Sequence, residues 1–213
     1  MTTTEAMTPA SREAPPTPPV HGWRSWLPRV LVESVFIIFS VLVALAVDEW
    51  REARSNREQA AQAESAILEE LRSNRALVDE ALRYHSSLVD TLIAYARDAR
   101  TPTVQTFPSG FVAPAQLSHT AWVSASETGA LSHMDYHTVL RLSNLYAQQE
   151  RYAEQGRSIG QLLYQEIYRG GTESIARNHR NLTGLIRTFV YREAQLIDSY
   201  DRTRSDHTLK AVD

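Results

Sequence analysis

Cysteine is missing from all 213 residues, which excludes disulfides, thiolate metal sites and cysteine nucleophiles and leaves the redox compartment open. Lysine is almost missing: Lys210 stands alone among 22 basic residues. With a net charge of -3 the chain has no basic footprint, so nucleic acid is not expected as a partner. The common catalytic signatures are missing as well. No G-x-S-x-G elbow, S-x-x-K pair, G-x-x-x-x-G-K-(S/T) loop or Glu-x-x-His pair occurs. No alternating β-branched run of strand length occurs either. The expectation is an all-α protein that is not an enzyme and needs no cofactor.

What is present begins with MTTTEAMTPASREAPPTPPVHG, rich in Thr, Pro and Ala and without apolar period, which reads as a disordered tail over 1–25. An apolar run follows from Val30 to Val47, interrupted only by Glu33 and two serines, and no charge lies between Ser34 and Val47. From Trp26 to Trp50, about 24 residues rising roughly 1.5 Å each make about 36 Å of helix, a hydrocarbon core plus the start of both headgroup layers. The two tryptophans would sit at the interfaces. Three readings compete for this run. A soluble core helix needs a large protein around it, and a signal peptide cleaved after Ala46 at Ala44-Leu45-Ala46 leaves a soluble exported protein. A retained span over 26–50 is the expected one, because DEWREARSNREQAAQAES continues as helix formers past the small-x-small site. Glu33, four residues after Arg29, can pair along one face and snorkel to the interface. Ser40 and Ala44, at small-x-x-x-small spacing, would admit a partner helix.

A helical domain is expected over 51–203 and a frayed polar tail over 204–213. From Asp48 to Arg100 there is no Pro or Gly, so the span should continue as one long rod or bend once near the membrane surface. Its seam reads Leu68, Leu71, Val78, Leu82, Val89, Leu92, Ala96, with Arg75 and His85 at two seam positions. TPTVQTFPSGFVAPAQ, with three prolines and a glycine, should end that helix and form a loop or lid across the bundle. Ser118 is the expected N-cap of a short helix carrying Trp122, and Gly129 its C-terminal positive-φ residue. Ser132 with Asp135 resembles a capping box, before a face marked by Tyr136, Val139, Leu140 and Tyr146. A further helix is expected over 158–169, broken at Gly170-Gly171. The last one, capped by Thr172, carries Ile175, Leu182, Ile186, Phe189, Leu196 and Tyr200 at four-three spacing. The sum is an antiparallel bundle of about four longer helices behind the span.

Candidate chemistry is thin. His133 and His137 share a helical face, as two metal ligands do, and His119 with Glu127 would complete a set only if the short helix folds back. A structural role for these histidines is the plainer reading, and no metal is expected. Tyrosines 136, 146, 152, 164, 168, 191 and 200 fit a bundle core better than a pocket lining.

Glu33, Asp48, Trp50, Glu52, Trp122, Gly129, Leu131 and Tyr146 carry a resemblance. The span closing on ALAVDEWREAR, with AWVSASETGALSHMDYHTVLRLSNLYAQQERY beyond it, is similar to a group of uncharacterised bacterial one-span membrane proteins. Their pattern is an acidic residue opening the span, a (D/N)-x-W-x-E-like junction and a distal W…G-x-L…Y segment. The resemblance implies an N-terminal anchor and no transferable reaction. Orientation is read two ways. Arg51, Arg54 and Arg57 on one side against Arg24 and Arg29 on the other favour a cytoplasmic C-terminal domain. The resemblance implies the opposite, and the expectation follows it: inner membrane, N-terminus cytoplasmic, C-terminal domain periplasmic. The expected function is a membrane-anchored helical interaction or scaffold protein of the bacterial envelope. Its expected partners are membrane lipid and either a second copy or another membrane protein. A ligand-binding sensor signalling through a partner span is the alternative.

Overall fold

The computed structural model describes residues 23–210, and side chains over 31–205. The tail expected over 1–25 lies almost wholly outside the described residues, as do the side chains of Trp26 and Arg29. Among the described residues the fold is all-α: α1 (Trp23–Arg97), α2 (Thr120–Glu127), α3 (Tyr136–Gly170), α4 (Thr172–Arg177) and α5 (His179–Lys210), with 3-10 turns at Val104–Thr106 and Ala130–His133. The chain divides into two compact units, residues 1–52 and 53–213.

In the first unit α1 presents its apolar run to the outside on every face. Leu31, Phe36, Phe39 and Leu45 are all about 60% exposed, and none of the apolar window is buried. This is a helix long and apolar enough to cross a membrane. The Ser40 hydroxyl turns back onto Phe36 O at 2.8 Å, so the one mid-run polar group is satisfied within the helix.

The second unit is built on three seams in heptad register. On α1 the buried seam is Ile67, Leu71, Asn74, Val78, Ala81, His85, Leu88 and Leu92, with Ala60 and Val89 buried beside it. The expected seam shares Leu71, Val78, His85 and Leu92 with it, and its Val89 is buried as well. At 68, 75 and 82 it lies one residue too far along, because the alternative set contains a polar Asn74. On α3 the seam positions are Thr138, Leu142, Leu145, Gln149, Tyr152 and Ile159, with Gly156 in the gap, and Tyr146, expected inside, is buried beside them. Tyr136 and Leu140, expected inside, are 72% and 46% exposed, since they fall on the opposite face. On α5 the residues Leu182, Ile186, Phe189, Glu193, Leu196, Tyr200 and Thr203 keep strict four-three spacing.

Side-chain bonds fix the directions. Arg75 and His85 of α1 meet Asp201 and Glu193 of α5, so these helices are antiparallel. Tyr152, Gln155 and Gln148 of α3 meet Glu193, Thr188 and Ser199, so α5 is antiparallel to α3 as well. Glu70 meets Tyr146 and Asn74 meets Gln149, so α1 and α3 run parallel. A parallel pair cannot be joined by a short turn, and the chain between α1 and α3 must travel back the length of the bundle.

Several local expectations shift by a residue or an element. The helix expected over 158–169 is the second half of α3, which passes through Gly156 and Gly160 unbroken. Asp135, not Ser132, caps α3, accepting Thr138 N–H at 2.9 Å. The N-cap of α2 is His119 and not Ser118. Gly171, at φ 70, takes both the end of α3 and the cap of α4, leaving Thr172 as the first residue of α4. Gly129 has φ 76, as its expected role requires. Residues 204–210, expected to fray, continue α5 to Lys210. α1 ends where Arg100 N–H bonds Tyr95 O at 2.9 Å with Ala99 at φ 50, a left-handed terminus usually given to glycine, and Pro102 follows.

Candidate functional site

The segment between α1 and α2 is a strap laid lengthwise along the bundle, not a lid across it. Phe107 is buried with Leu88, Leu92 and Ile186, which pins its first part. Beyond that the strap is held by side chains reaching its backbone. The Tyr84 hydroxyl donates to Gly110 O. Ala113 N–H donates to His85 Nε2 at 3.1 Å, and Ala115 N–H to the Tyr152 hydroxyl at 2.8 Å. Asn74 brackets Ser118, accepting its N–H at 2.9 Å and donating to its C=O at 2.7 Å. Eleven residues of α1 separate Asn74 from His85, a rise of about 16.5 Å. The five steps from Ala113 to Ser118 cover it at about 3.3 Å each, the spacing of extended chain.

Two carboxylates, Glu193 buried and Glu70 half-buried, organise these tethers. Glu193 accepts from His85 Nδ1 at 2.9 Å and from the Tyr152 hydroxyl at 2.8 Å, and all three side chains are buried. Since Ala113 N–H can only donate, His85 Nε2 carries the lone pair, Nδ1 carries the proton, and the ring is neutral. Glu70, the second carboxylate, accepts from the Ser118 and Tyr146 hydroxyls at 2.6 Å each and from Ala121 N–H at 3.0 Å. It thereby caps α2 from α1, a job the N-cap His119 does not perform. Burial alone would raise its pKa, but the hydrogen bonds from Ser118, Tyr146, Ala121 and Trp122 hold it below the ordinary value. Burial, and then the neighbouring carboxylate, pushes the Tyr146 and Tyr152 hydroxyls far up, so both stay protonated donors.

These shifts carry a pH prediction. The Arg75 hydrogen bond likewise lowers Asp201 below the usual range. A carboxylate lowered on folding contributes stability that is complete above its unfolded pKa, about 4, and is lost as pH falls through the lower folded value. Thermal melting should therefore be flat from neutrality to about pH 5 and fall below about pH 4. Glu70→Gln and Asp201→Asn should each start from a lower melting temperature and show a shallower fall; an undiminished slope in both would count against these two groups.

Between strap and α3 lies an open groove of about 850 Å³. Pro114–Leu117 and Trp122 form one wall, and Ala147, Gln149, Ala153, Gly156 and Gly160 the floor. Trp122 stacks on Tyr146 with ring centroids 5.0 Å apart, closing one end, and Tyr164 stands exposed at the other. Glu150 and Arg157 on the rim neutralise one another at 2.6 Å. Gln149 is 4% exposed, its oxygen faces Asn74, and its Nε2 has no hydrogen-bond partner. An apolar pocket of about 290 Å³, with Phe111, Leu163 and Ile167, shares Pro114, Gly156, Gly160 and Tyr164 with the groove.

The two floor glycines differ in a measurable way. A Cβ on Gly160 would meet nothing within 4 Å, whereas one on Gly156 would lie 3.1 Å from Pro114 Cγ. Gly160→Ala should raise unfolding free energy by about 0.8–1 kcal/mol through helix propensity. Gly156→Ala should gain less than that or lose stability, because strap and α3 must part. Urea titration of the two variants checks the order, and equal gains would mean that the strap yields freely.

Of the residues singled out from sequence, Trp122 and Tyr146 come together as a stacked pair, Leu131 packs on the same core and His119 lines the groove. His133 and His137 are exposed and do not join His119 or Glu127. Among the described residues no group of three or more His, Asp or Glu is placed to hold a metal ion. Glu70, Asn74, Gln149 and Glu193 were missed. For Asn74, Gln149 and Glu193 the signal was a polar residue occupying a place in a four-three series, whereas Glu70 lies beside its series and carried none. No family model, curated protein or solved structure matches this chain.

Proposed function

We propose that this chain is a membrane-anchored helical interaction protein of the bacterial envelope. In this reading α1 crosses the inner membrane, the N-terminus lies in the cytoplasm and the bundle lies in the periplasm. The observation that carries the reading is the run from Leu31 to Val47, exposed on every face of α1. Lipid is the solvent such a surface fits. The bundle supports an interaction role over a sensor role. Its buried tyrosine hydroxyls at 146 and 152 are consumed by Glu70 and Glu193 in holding the strap, not offered to a ligand. The groove beside the strap is the concave surface left for a partner, which is another membrane protein or a second copy. The resemblance to one-span membrane proteins supports the orientation.

The test is alkaline carbonate extraction of membranes, followed by photo-crosslinking from positions 143 and 161 on the groove rim and 191 on α5. A carbonate-resistant protein of full mass giving a discrete cross-linked species fits the reading. Release by carbonate, or a mass lacking the first 46 residues, would remove the anchor; no discrete species from any position would remove the interaction role.

A further inference from the structure

The strap wall of the groove carries backbone groups without a partner in the chain. The spacing of the tethers is that of extended chain, in which successive residues direct their N–H and C=O groups to opposite sides, until Ser118 turns both of its groups to Asn74. Ala113 and Ala115 spend their N–H groups on His85 and Tyr152, toward the bundle. Pro114, Ala115, Gln116 and Leu117 all line the groove, and of these Ala115 alone spends its N–H on the bundle. Among the described residues the C=O of Pro114, both backbone groups of Gln116 and the N–H of Leu117 form no hydrogen bond within the chain. An edge of this kind is a template for one more strand, and sheet-edge pairing is an established mode of peptide capture.

The floor agrees with such an occupant. Ala147, Ala153 and Gly160 leave room beside the strap, and the open space over Gly160 is kept although glycine costs a helix about 1 kcal/mol against alanine. The rim charges cancel, so nothing selects a charged ligand. Gln149 supplies a second, independent pointer: its side chain lines the floor, is almost wholly buried, and holds an amide N–H without an acceptor. An unmade buried hydrogen bond is costly, and a backbone carbonyl is the acceptor that every extended peptide carries.

We propose that the groove binds an extended, uncharged polypeptide segment of a partner protein, which pairs with Gln116 on the strap edge and offers a carbonyl to Gln149. Trp122 and Tyr164 flank the ends as aromatic platforms for its side chains. This rests on the interaction reading above and names the partner's chemistry. The strap thus has two edges with different work: the inner one is fixed to the bundle by His85 and Tyr152, and the outer one recognises the segment. Fixing the inner edge matters for recognition, because a strap ordered before binding loses little entropy on pairing.

The test uses the full chain in lipid nanodiscs, panned against a displayed library of random linear dodecapeptides with empty discs as counter-selection. Enriched peptides are measured against four forms. Gln116→Pro removes a backbone N–H that has no internal partner and fixes φ at a value that extended chain accepts, and Gly160→Trp fills the floor. Each should weaken binding at least about tenfold, the scale of one or two lost hydrogen bonds or of blocked access. Gln116→Ala keeps the backbone donor and should stay within about threefold of wild type on the same scale. Tyr191→Ser, on an exposed face of α5, should bind as wild type. Thermal melting establishes that each variant folds, and hydrogen exchange on the wild-type complex should show the Gln116 amide slowed. Three results would overturn the proposal: no enriched peptide, binding indifferent to Gly160→Trp, or binding lost with Gly160→Trp but kept with Gln116→Pro and no protection at Gln116. Because panning needs neither a compartment nor the native partner, cross-links found from position 191 alone would leave the interaction reading standing and this one fallen.

Discussion

Glu193→Ala should lower the unfolding free energy of the bundle by about 3–5 kcal/mol, the range for removing one member of a buried, bonded polar set. The reason is the composition of its surroundings. His85 Nδ1–H and the Tyr152 hydroxyl both donate to this carboxylate, and all three side chains have essentially no exposure. Truncation leaves two buried donors without acceptors and a cavity where the side chain stood. Glu193→Gln discriminates the electrostatic from the steric account. An amide would turn one donor toward a donor, and the imidazole cannot change tautomer to receive it, since Nε2 already accepts Ala113 N–H. The isosteric variant should therefore still lose about 1–3 kcal/mol. Urea unfolding measures both. A Gln variant as stable as wild type would mean that the pocket is not a set of donors converging on one acceptor. The loss should also be felt on the strap, with exchange at the Ala113 and Ala115 amides rising more than at the amides of α3.

The second large effect concerns the span. Twelve large apolar residues lie between Leu31 and Val47, all exposed. At about -0.3 to -0.6 kcal/mol each they favour insertion by roughly 4–7 kcal/mol, and an arginine near the centre costs about 2.5–3.5. Phe39→Arg should thus remove about half of the driving force, and Phe39→Arg with Leu42→Arg should cancel it. Carbonate-resistant material is expected to drop in the single variant and to disappear in the double. Undiminished resistance in the double variant would mean that this run is not what holds the protein to the membrane.

Much of the architecture was legible because it depends on period and on breakers. The absence of Pro and Gly between Asp48 and Arg100 marked one uninterrupted helix, and the Pro-rich block after it marked its end. The α5 seam was read correctly except at position 193, where a series built from apolar residues skips the carboxylate that belongs in it. The same omission displaced the α1 seam at 68, 75 and 82, since Asn74 looks like a surface residue until its bonds to Ser118 are known. Arg75 and His85, counted as seam interruptions, are the residues that face α5, ten apart on α1 and matched to Asp201 and Glu193, eight apart on α5. The site was largely hidden. A loop rich in proline announces that helix ends there, but its lengthwise path follows from α1 and α3 being parallel, which no local pattern encodes. Gln149 and Gly160 have meaning only once the strap lies beside them. Histidines at four-residue spacing were visible and chemically suggestive, yet the chain leaves His133 and His137 in solvent.

The missing cysteines give the sharpest test of a retained span with an exported bundle. Ser205 is exposed near the end of α5, and Ser205→Cys would place the only thiol in the protein there. Intact spheroplasts are treated with a membrane-impermeant maleimide and the product is weighed by intact-mass spectrometry. Labelling of the full-length mass before lysis is the predicted result. Labelling only after lysis would place the bundle in the cytoplasm, as the arginine count favours, and labelling of a chain lacking its first 46 residues would replace the anchor with a cleaved signal; either result contradicts the claim.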